Sequence, residues 1–363
     1  MSKYVFDGRL CRPVQKTAFA RASLVGNPSD LLRQAEARAK KENNLDITIF
    51  ADGAVLSIPI KSLVATATIA PAEHFSWMAP TPRYSTLGEC VDHIRLREPG
   101  SWEIIIERTL VVVDDMLRSS GKKMLEIPME IHLTTNIPRQ RGTSGSSGMI
   151  LSLIEALLTI HGADKCFDTM EKAIVAWKIE TDGGTEAGLQ DRVLQAAAID
   201  NPKTTAVFME FPRTIRDGSC QFKVLETQLP QLALVLSSEP SYSGGVHKPI
   251  VDRLIAGDRS LAIRFHQLGE YAYSARNCLE AGDWSALGIL MNKTSLMRIE
   301  IYGQDVLGPI NMALFEACNA AHCQFNFTGS GGAVVVLLLN GDQSYQKLKT
   351  EVAKRGNFTI YRL

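Results

Sequence analysis

Residues 138–148 read Pro138-Arg139-Gln140-Arg141-Gly142-Thr143-Ser144-Gly145-Ser146-Ser147-Gly148 and run from a strand-like segment straight into an apolar, helix-like one that begins at Met149. Small residues let the backbone curl so that successive amide N–H groups converge, and a helix N-terminus adds partial positive charge; together they suit phosphate oxygens. The serine hydroxyls are hard oxygen donors of the kind Mg2+ accepts. Composition alone also fits a flexible Gly/Ser linker or a serine-capped helix start. The flanks argue against a linker, which has no reason to join a buried strand to a buried helix. A GxxxxGK[ST] stretch is absent, so the loop is not of the Walker type.

Such a loop works only if rigid elements hold it. With 363 residues, 45% of them hydrophobic, the chain can bury one large core or two closely packed ones. Strand-like and helix-like segments alternate without a regular βαβ cadence, which points to α+β. Strands are expected at 17–25, 55–60, 65–69 and 127–134, and helices at 103–118 and 149–160. Strands at 206–210, 222–225 and 232–238 would form a second sheet, followed by helices at about 260–281, 283–300 and 304–321. The chain then closes with a strand at 334–339, a helix from Ser344 and a strand at 358–361. The turn signal Asp200-Asn201-Pro202 divides the chain into domains 1–200 and 201–363.

Lysine plus arginine (39) balances aspartate plus glutamate (39), so no global field draws in nucleic acid or an anionic membrane, and phosphate binding must be local. The first ten residues lack the apolar run of a signal peptide, and the longest apolar run, 333–339, is far short of the ~20 residues of a membrane helix. The seven cysteines are scattered, without a CxxC pair, and read as reduced thiols. A cytoplasmic protein is the expectation.

The 138–148 loop resembles the second motif of the GHMP kinases, PxxxGLGSSAA, with Thr143 in place of the leucine and Gly148 in place of the small residue after the serines. The stretch from Ala20-Arg21 to Gly26-Asn27-Pro28-Ser29-Asp30 resembles the first motif in its glucuronokinase form, and Phe327-Thr328-Gly329-Ser330-Gly331-Gly332-Ala333 resembles the third. Gly188-Leu189-Gln190-Asp191-Arg192, the segment ending Val246-His247, and the stretch from Asn292 through Arg298 to Asp305 resemble glucuronokinase segments.

The resemblance implies an N-terminal ribosomal-protein-S5-like domain, a C-terminal ferredoxin-like α/β sandwich, and ATP with Mg2+ acting on a small-molecule sugar acid, D-glucuronate or a related uronic acid, at its 1-hydroxyl. It gives the ATP phosphates to Pro138, Gly142, Thr143, Ser144, Gly145, Ser146, Ser147 and Gly148. Mg2+ falls to Ser146, with Ser147 one residue away as the fallback, and to Glu180, with Asp182 and Glu186 as competitors. Asp191 would orient or deprotonate the acceptor hydroxyl, and Arg21 would sit near the transferred phosphate. Asn27, Asp30, Gly329, Ser330, Gly331, Gly332 and Arg298 would meet the acceptor. A carboxylate on that acceptor calls for an arginine, with Arg298, Arg141 and Arg12 as candidates. His247 is either a base or a structural or substrate-positioning group. The segment 31–45 departs from the family as a charged insertion, whose pattern favours a solvated surface helix over a part of the pocket.

Overall fold

A computed structural model of the chain describes residues 4–6, 9–43, 51–77, 84–96, 104–124, 126–182, 188–215, 218–239, 246–329 and 331–363. A short hairpin of β1 (Val5–Phe6) and β2 (Arg9–Leu10) precedes β3 (Val14–Val25), helix α1 (Leu31–Asn43) and the long strand β4 (Gly53–Pro71). Then come β5 (Ser76–Trp77), α2 (Leu87–Arg95), α3 (Ile104–Ser119), β6 (Met129–Thr135), α4 (Gly145–Ile160), α5 (Thr169–Thr181) and α6 (Gln190–Asp200). Strands β7 (Ala206–Phe211), β8 (Gln221–Leu225) and β9 (Leu232–Ser237) lead to α7 (Lys248–Ile255), α8 (Arg259–Ala281), α9 (Trp284–Tyr302) and α10 (Gln304–Ala320). The chain ends with β10 (Gln324–Phe327), β11 (Ala333–Leu337), α11 (Asp342–Ala353) and β12 (Phe358–Arg362).

The segments expected as two strands at 55–60 and 65–69 are one continuous strand, β4. It is long enough to serve three partners: β3 along one edge, and β6 and β7 at opposite ends of the other. The first sheet runs β5-β6-β4-β7-β8, with β3 on the far edge of β4. The second is fully antiparallel in the order β10-β11-β9-β12, with Val334 opposite Val235 and Ile360 opposite Val235 on its other side. Every residue of β9 and β11 is buried, which is why both read as unbroken apolar runs.

Two sequence expectations need correction. Strands β7 and β8 do not open the second sheet; β7 pairs with β4, Val55 opposite Met209, so a division at residue 200 cuts through the first sheet, and the second begins only at β9. Helix α1 is not a solvated surface helix. Leu31, Leu32, Arg33, Gln34, Ala35 and Ala39 are buried, and the Arg33 guanidinium donates to the carbonyls of Pro212 (2.5 Å) and Ser219 (3.1 Å). Its charged residues hide an apolar stripe that packs against Ile250, Val251, Leu254 and Phe265.

Helix α4 is buried all round from Ile150 to Ile160 and apolar there except for Ser152, Glu155 and Thr159, the pattern of a core helix, and packs on β3 and β4. Leu157 and Leu158 have no exposed surface, so truncating either to alanine costs about 2–5 kcal/mol. Such a helix is a rigid base for whatever its N-terminus holds. Among the described residues no helix is long and apolar enough to cross a membrane.

Candidate active site

The 138–148 loop ends at Ser144, whose backbone is left-handed (φ 64°) and whose side chain makes no capping hydrogen bond, so the first-turn amides of α4 are left for another partner. Ser147 folds back on the Ser144 carbonyl (3.2 Å), and a Cβ at Gly148 would meet Ala65 and Gln195 at 3.3 Å, which keeps α4 close to β4. Gly142 and Gly329 lie back to back. A Cβ on Gly142 would stand 2.5 Å from the Thr328 carbonyl oxygen, and one on Gly329 would stand 2.3 Å from the Gly142 oxygen, both at positive φ. The glycine loops of the second and third motifs therefore meet backbone to backbone, and Thr328 Oγ1 adds a hydrogen bond to the Gly142 carbonyl (3.4 Å).

Arg21, buried on β3, reaches across this junction. Its Nε donates to Asp191 Oδ1 at 2.5 Å and its Nη1 to Thr328 Oγ1 at 2.7 Å. Asp191, in the first turn of α6, also receives Arg192 Nη1 on its other oxygen at 3.4 Å. Burial by itself would raise the Asp191 pKa, but the guanidinium charges of Arg21 and Arg192 outweigh it and hold the carboxyl below its ordinary value. Asp30 behaves oppositely. Burial, then the neighbouring Asp191 charge, pushes it up to about 6. Gln190 Nε2 donates to Asp30 Oδ1 (3.0 Å) while Gln190 Oε1 accepts from the hydroxyls of Ser23 (2.7 Å) and Ser57 (3.3 Å), so the side-chain amide orientation is determined by its partners. Gly188 must be glycine for a different reason: a Cβ there would collide with Asp30 Oδ2.

Ser146 Oγ donates to Glu180 Oε1 at 2.5 Å, bringing the first turn of α4 against the last turn of α5, and Arg192 Nη2 holds Glu180 Oε2. Two hard oxygens thus converge with the carboxylate oriented from behind. Mg2+ takes one or two protein oxygens and keeps several waters, so this pair fits it. Of the competitors, Asp182 is exposed and paired with Lys41 (2.7 Å), and Glu186 lies outside the described residues. Among the described residues there is no cluster of three His, Cys, Asp or Glu side chains suited to a metal.

These groups face one cavity of about 860 Å³, which Arg21, Asn27, Asp30, Ser146, Glu180, Asp191, His247 and Gly329 line together with Pro138 and the loop from Gly142 to Gly145. Asn27 Nδ2 also donates to the Phe327 carbonyl (3.0 Å). A second, apolar cavity of about 240 Å³, formed by Ile105, Ile106, Leu133, Ile150 and Leu153, shares Thr135, Arg139 and Met149 with the first.

Several expected contacts fall elsewhere. Arg298 is fully buried, its guanidinium donating to the carbonyls of Phe327 (3.1 Å) and Gly329 (2.9 Å); it supports the third loop from behind and does not line the cavity. Gly331 and Gly332 also stand back from it; Gly332 N–H donates to Asn311 Oδ1 (2.8 Å). Ser330 lies outside the described residues. Arg12 stacks on the Tyr4 ring, and Arg141 lines the cavity but gives its fork to the carbonyls of Ser237 and Ser238, both at 2.6 Å. His247 Nδ1 is engaged by the Tyr302 hydroxyl (2.9 Å), and burial, reinforced by the Arg298 charge, pushes its pKa down to about 4, so the ring is neutral near pH 7.

Gln190, Arg192, Thr328 and Tyr302 are the participants that sequence reasoning assigned no role. All four sit inside stretches that carry the resemblance, so the signal was present; what they touch was not.

Residues 106–198 match the GHMP kinases N terminal domain. The chain is 28% identical to Glucuronokinase 1 of Arabidopsis thaliana over 364 residues, spanning 98% of this chain and 92% of that protein. Its fold is similar to that of Lactococcus lactis galactokinase complexed with galactose (TM-score 0.69, 14% identity, 96% of this chain and 92% of that one). It is similar too to Streptococcus pneumoniae phosphomevalonate kinase in complex with phosphomevalonate and AMPPNP (TM-score 0.68, 15% identity, 96% and 100%).

Proposed function

We infer that this chain, a kinase of the GHMP superfamily, transfers the γ-phosphoryl group of ATP to the 1-hydroxyl of D-glucuronate or a related uronic acid. The observation that carries the reading is the meeting, in one cavity at the N-terminus of α4, of the Ser146–Glu180 oxygen pair with the Arg21–Asp191 pair. The α4 amides and the small residues from Gly142 to Ser146 receive the phosphates, and the adjoining apolar cavity receives the base. Ser146 and Glu180 hold Mg2+, which when bound neutralises phosphate charge.

Phosphoryl transfer needs little covalent help, so the residues act mainly by placement. Asp191 stays anionic at neutral pH and aims the acceptor hydroxyl; it is a weak base until bonding to phosphorus acidifies that hydroxyl. Arg21 sits on the developing charge. Asp30, Asn27 and the neutral His247 hold the acceptor's other oxygens.

A second reading, a neutral sugar or another small alcohol as acceptor, is favoured by one observation: none of the three arginines expected to meet a carboxylate offers its fork to the cavity. A coupled ADP-release assay across glucuronate, galacturonate, galactose, arabinose and mevalonate decides. Turnover of a uronate is expected. Turnover of a neutral acceptor with neither uronate active replaces the first reading by the second.

A further inference from the structure

Three candidate site residues stand on three helices: Ser146 in the first turn of α4, Glu180 in the last turn of α5 and Asp191 in the first turn of α6. A second charged cluster joins the same helices at their other ends. The Lys172 ammonium of α5 lies 2.6 Å from Glu155 Oε1 of α4 and 2.6 Å from Asp200 Oδ1, the last residue of α6. The side chains of Lys172 and Glu155 are 2% and 4% exposed, that of Asp200 33%. Thr169 donates to the other Asp200 oxygen at 2.5 Å.

On each helix the cluster member is about eight or nine residues from the site residue, roughly 12–14 Å at 1.5 Å per residue. The three helices therefore carry the two clusters at matched separations, with α5 running opposite to the other two. Helices α5 and α6, which pack on each other, bury Ala173, Ala176, Ala196, Ala197 and Ala198, and α4 adds Ala156 among larger apolar residues. Alanines bring helix axes close but present shallow ridges, which poorly resist sliding along the axes. A buried ion cluster adds little net stability over apolar packing, and its best-attested use is to fix register.

We propose that Lys172, held between Glu155 and Asp200, is a positioning residue that sets the axial register of α4, α5 and α6 and so the spacing of Ser146, Glu180 and Asp191. This rests on the phosphoryl-transfer reading above. The double variant Lys172→Met with Glu155→Leu replaces the buried pair by apolar groups and leaves Asp200 with Thr169 and solvent. Its melting temperature should not fall below that of the wild type. Its kcat should drop roughly 10- to 100-fold, the scale of an ångström-sized misplacement, with acceptor KM within about a factor of two. The Mg2+ concentration giving half-maximal rate should rise several-fold. Wild-type kcat and Mg2+ dependence in the folded variant overturn the proposal, as does a variant that cannot fold, which would make the cluster a stability element. The wild type assayed in parallel separates the two claims: no ATP turnover with any acceptor removes the kinase reading and this one with it, whereas a competent wild type beside an undiminished variant removes only this one.

Discussion

Asp30 and Asp191 are neighbouring carboxylates whose surroundings drive them apart, and that separation assigns them different work. Asp191 has guanidinium donors on both oxygens; Asp30 has an amide and little solvent. A folded-state pKa near 6, above the unfolded value, means the folded protein binds the extra proton between about pH 4 and 6. Stability therefore falls as pH rises through that window, and the ionised group is a cost at neutral pH, on the order of 2–3 kcal/mol. Asp30→Asn should raise the melting temperature at pH 7, with the gain fading toward pH 4, while weakening acceptor binding. Asp191→Asn should instead leave nucleotide affinity nearly intact and lower kcat by about 10²-fold or more. Melts at pH 4 and 7 with steady-state kinetics on both variants check the contrast; equal melting behaviour, or a kcat within a few-fold of wild type for Asp191→Asn, would contradict it. The sequence motifs indicated which carboxylates to consider, but not that one is doubly clamped and the other dry, because burial depends on elements distant in the chain.

At the scale of elements, legibility followed how simple each environment is. Helices α3, α8, α9 and α10 and strands β3, β6 and β11 were expected close to where they lie, since one apolar face or a continuous buried run produces a readable pattern. Helices α5 and α6, which carry Glu180 and Asp191, were not anticipated as helices at all. Their buried faces include Lys172, Glu180, Gln190, Arg192 and Gln195, so the charge pattern that normally marks a solvated face here marks the interior. The same inversion hid the packed side of α1. In the 138–148 loop, proposed to take the phosphates, the glycine to test is Gly142. At Gly145 a Cβ would meet only Ile137 at 3.4 Å, an ordinary contact. At Gly142 a Cβ would run into the carbonyls of Thr328 and Gly331, and φ is 64°. Gly142→Ala should separate the loops of the second and third motifs and weaken ATP binding at least 10-fold, a loss of about 1.4 kcal/mol, while Gly145→Ala is tolerated. Calorimetric titration of nucleotide into both variants checks this, and equal affinities would rule out the interlock as part of the site.

At the scale of the whole molecule, the site exists only where the two sheets meet. The α4 loop and β3 come from the first half, the third glycine loop from between β10 and β11 of the second, and no local pattern announces that Arg21 will find Thr328 or that β7 will return to β4. Arg141 spans the join as well. From the α4 loop its Nε and Nη2 reach the carbonyls of Ser237 and Ser238 where β9 ends, and Nη1 turns back to the carbonyls of Arg139 and Gln140. Burial pushes its pKa down, yet the group stays charged at any pH at which the protein folds. A planar fork can serve these carbonyls together, whereas a lysine ammonium of equal charge reaches one at best. Arg141→Lys should therefore leave a buried carbonyl without a donor and cost about 1–3 kcal/mol. Because the latch holds the 138–148 loop, to which the proposed reading gives the ATP phosphates, against the second sheet, the loss should appear as lower thermal stability together with a raised KM for ATP, while the acceptor, which that reading gives to Asp30, Asn27 and His247, should keep its KM. Calorimetric melts with and without a non-hydrolysable nucleotide, beside steady-state kinetics, measure both. If Arg141→Lys melts and binds ATP as the wild type does, the two halves are joined without this latch, and the glycine contact with the Arg21–Thr328 and Asn27–Phe327 hydrogen bonds sets the loop's geometry.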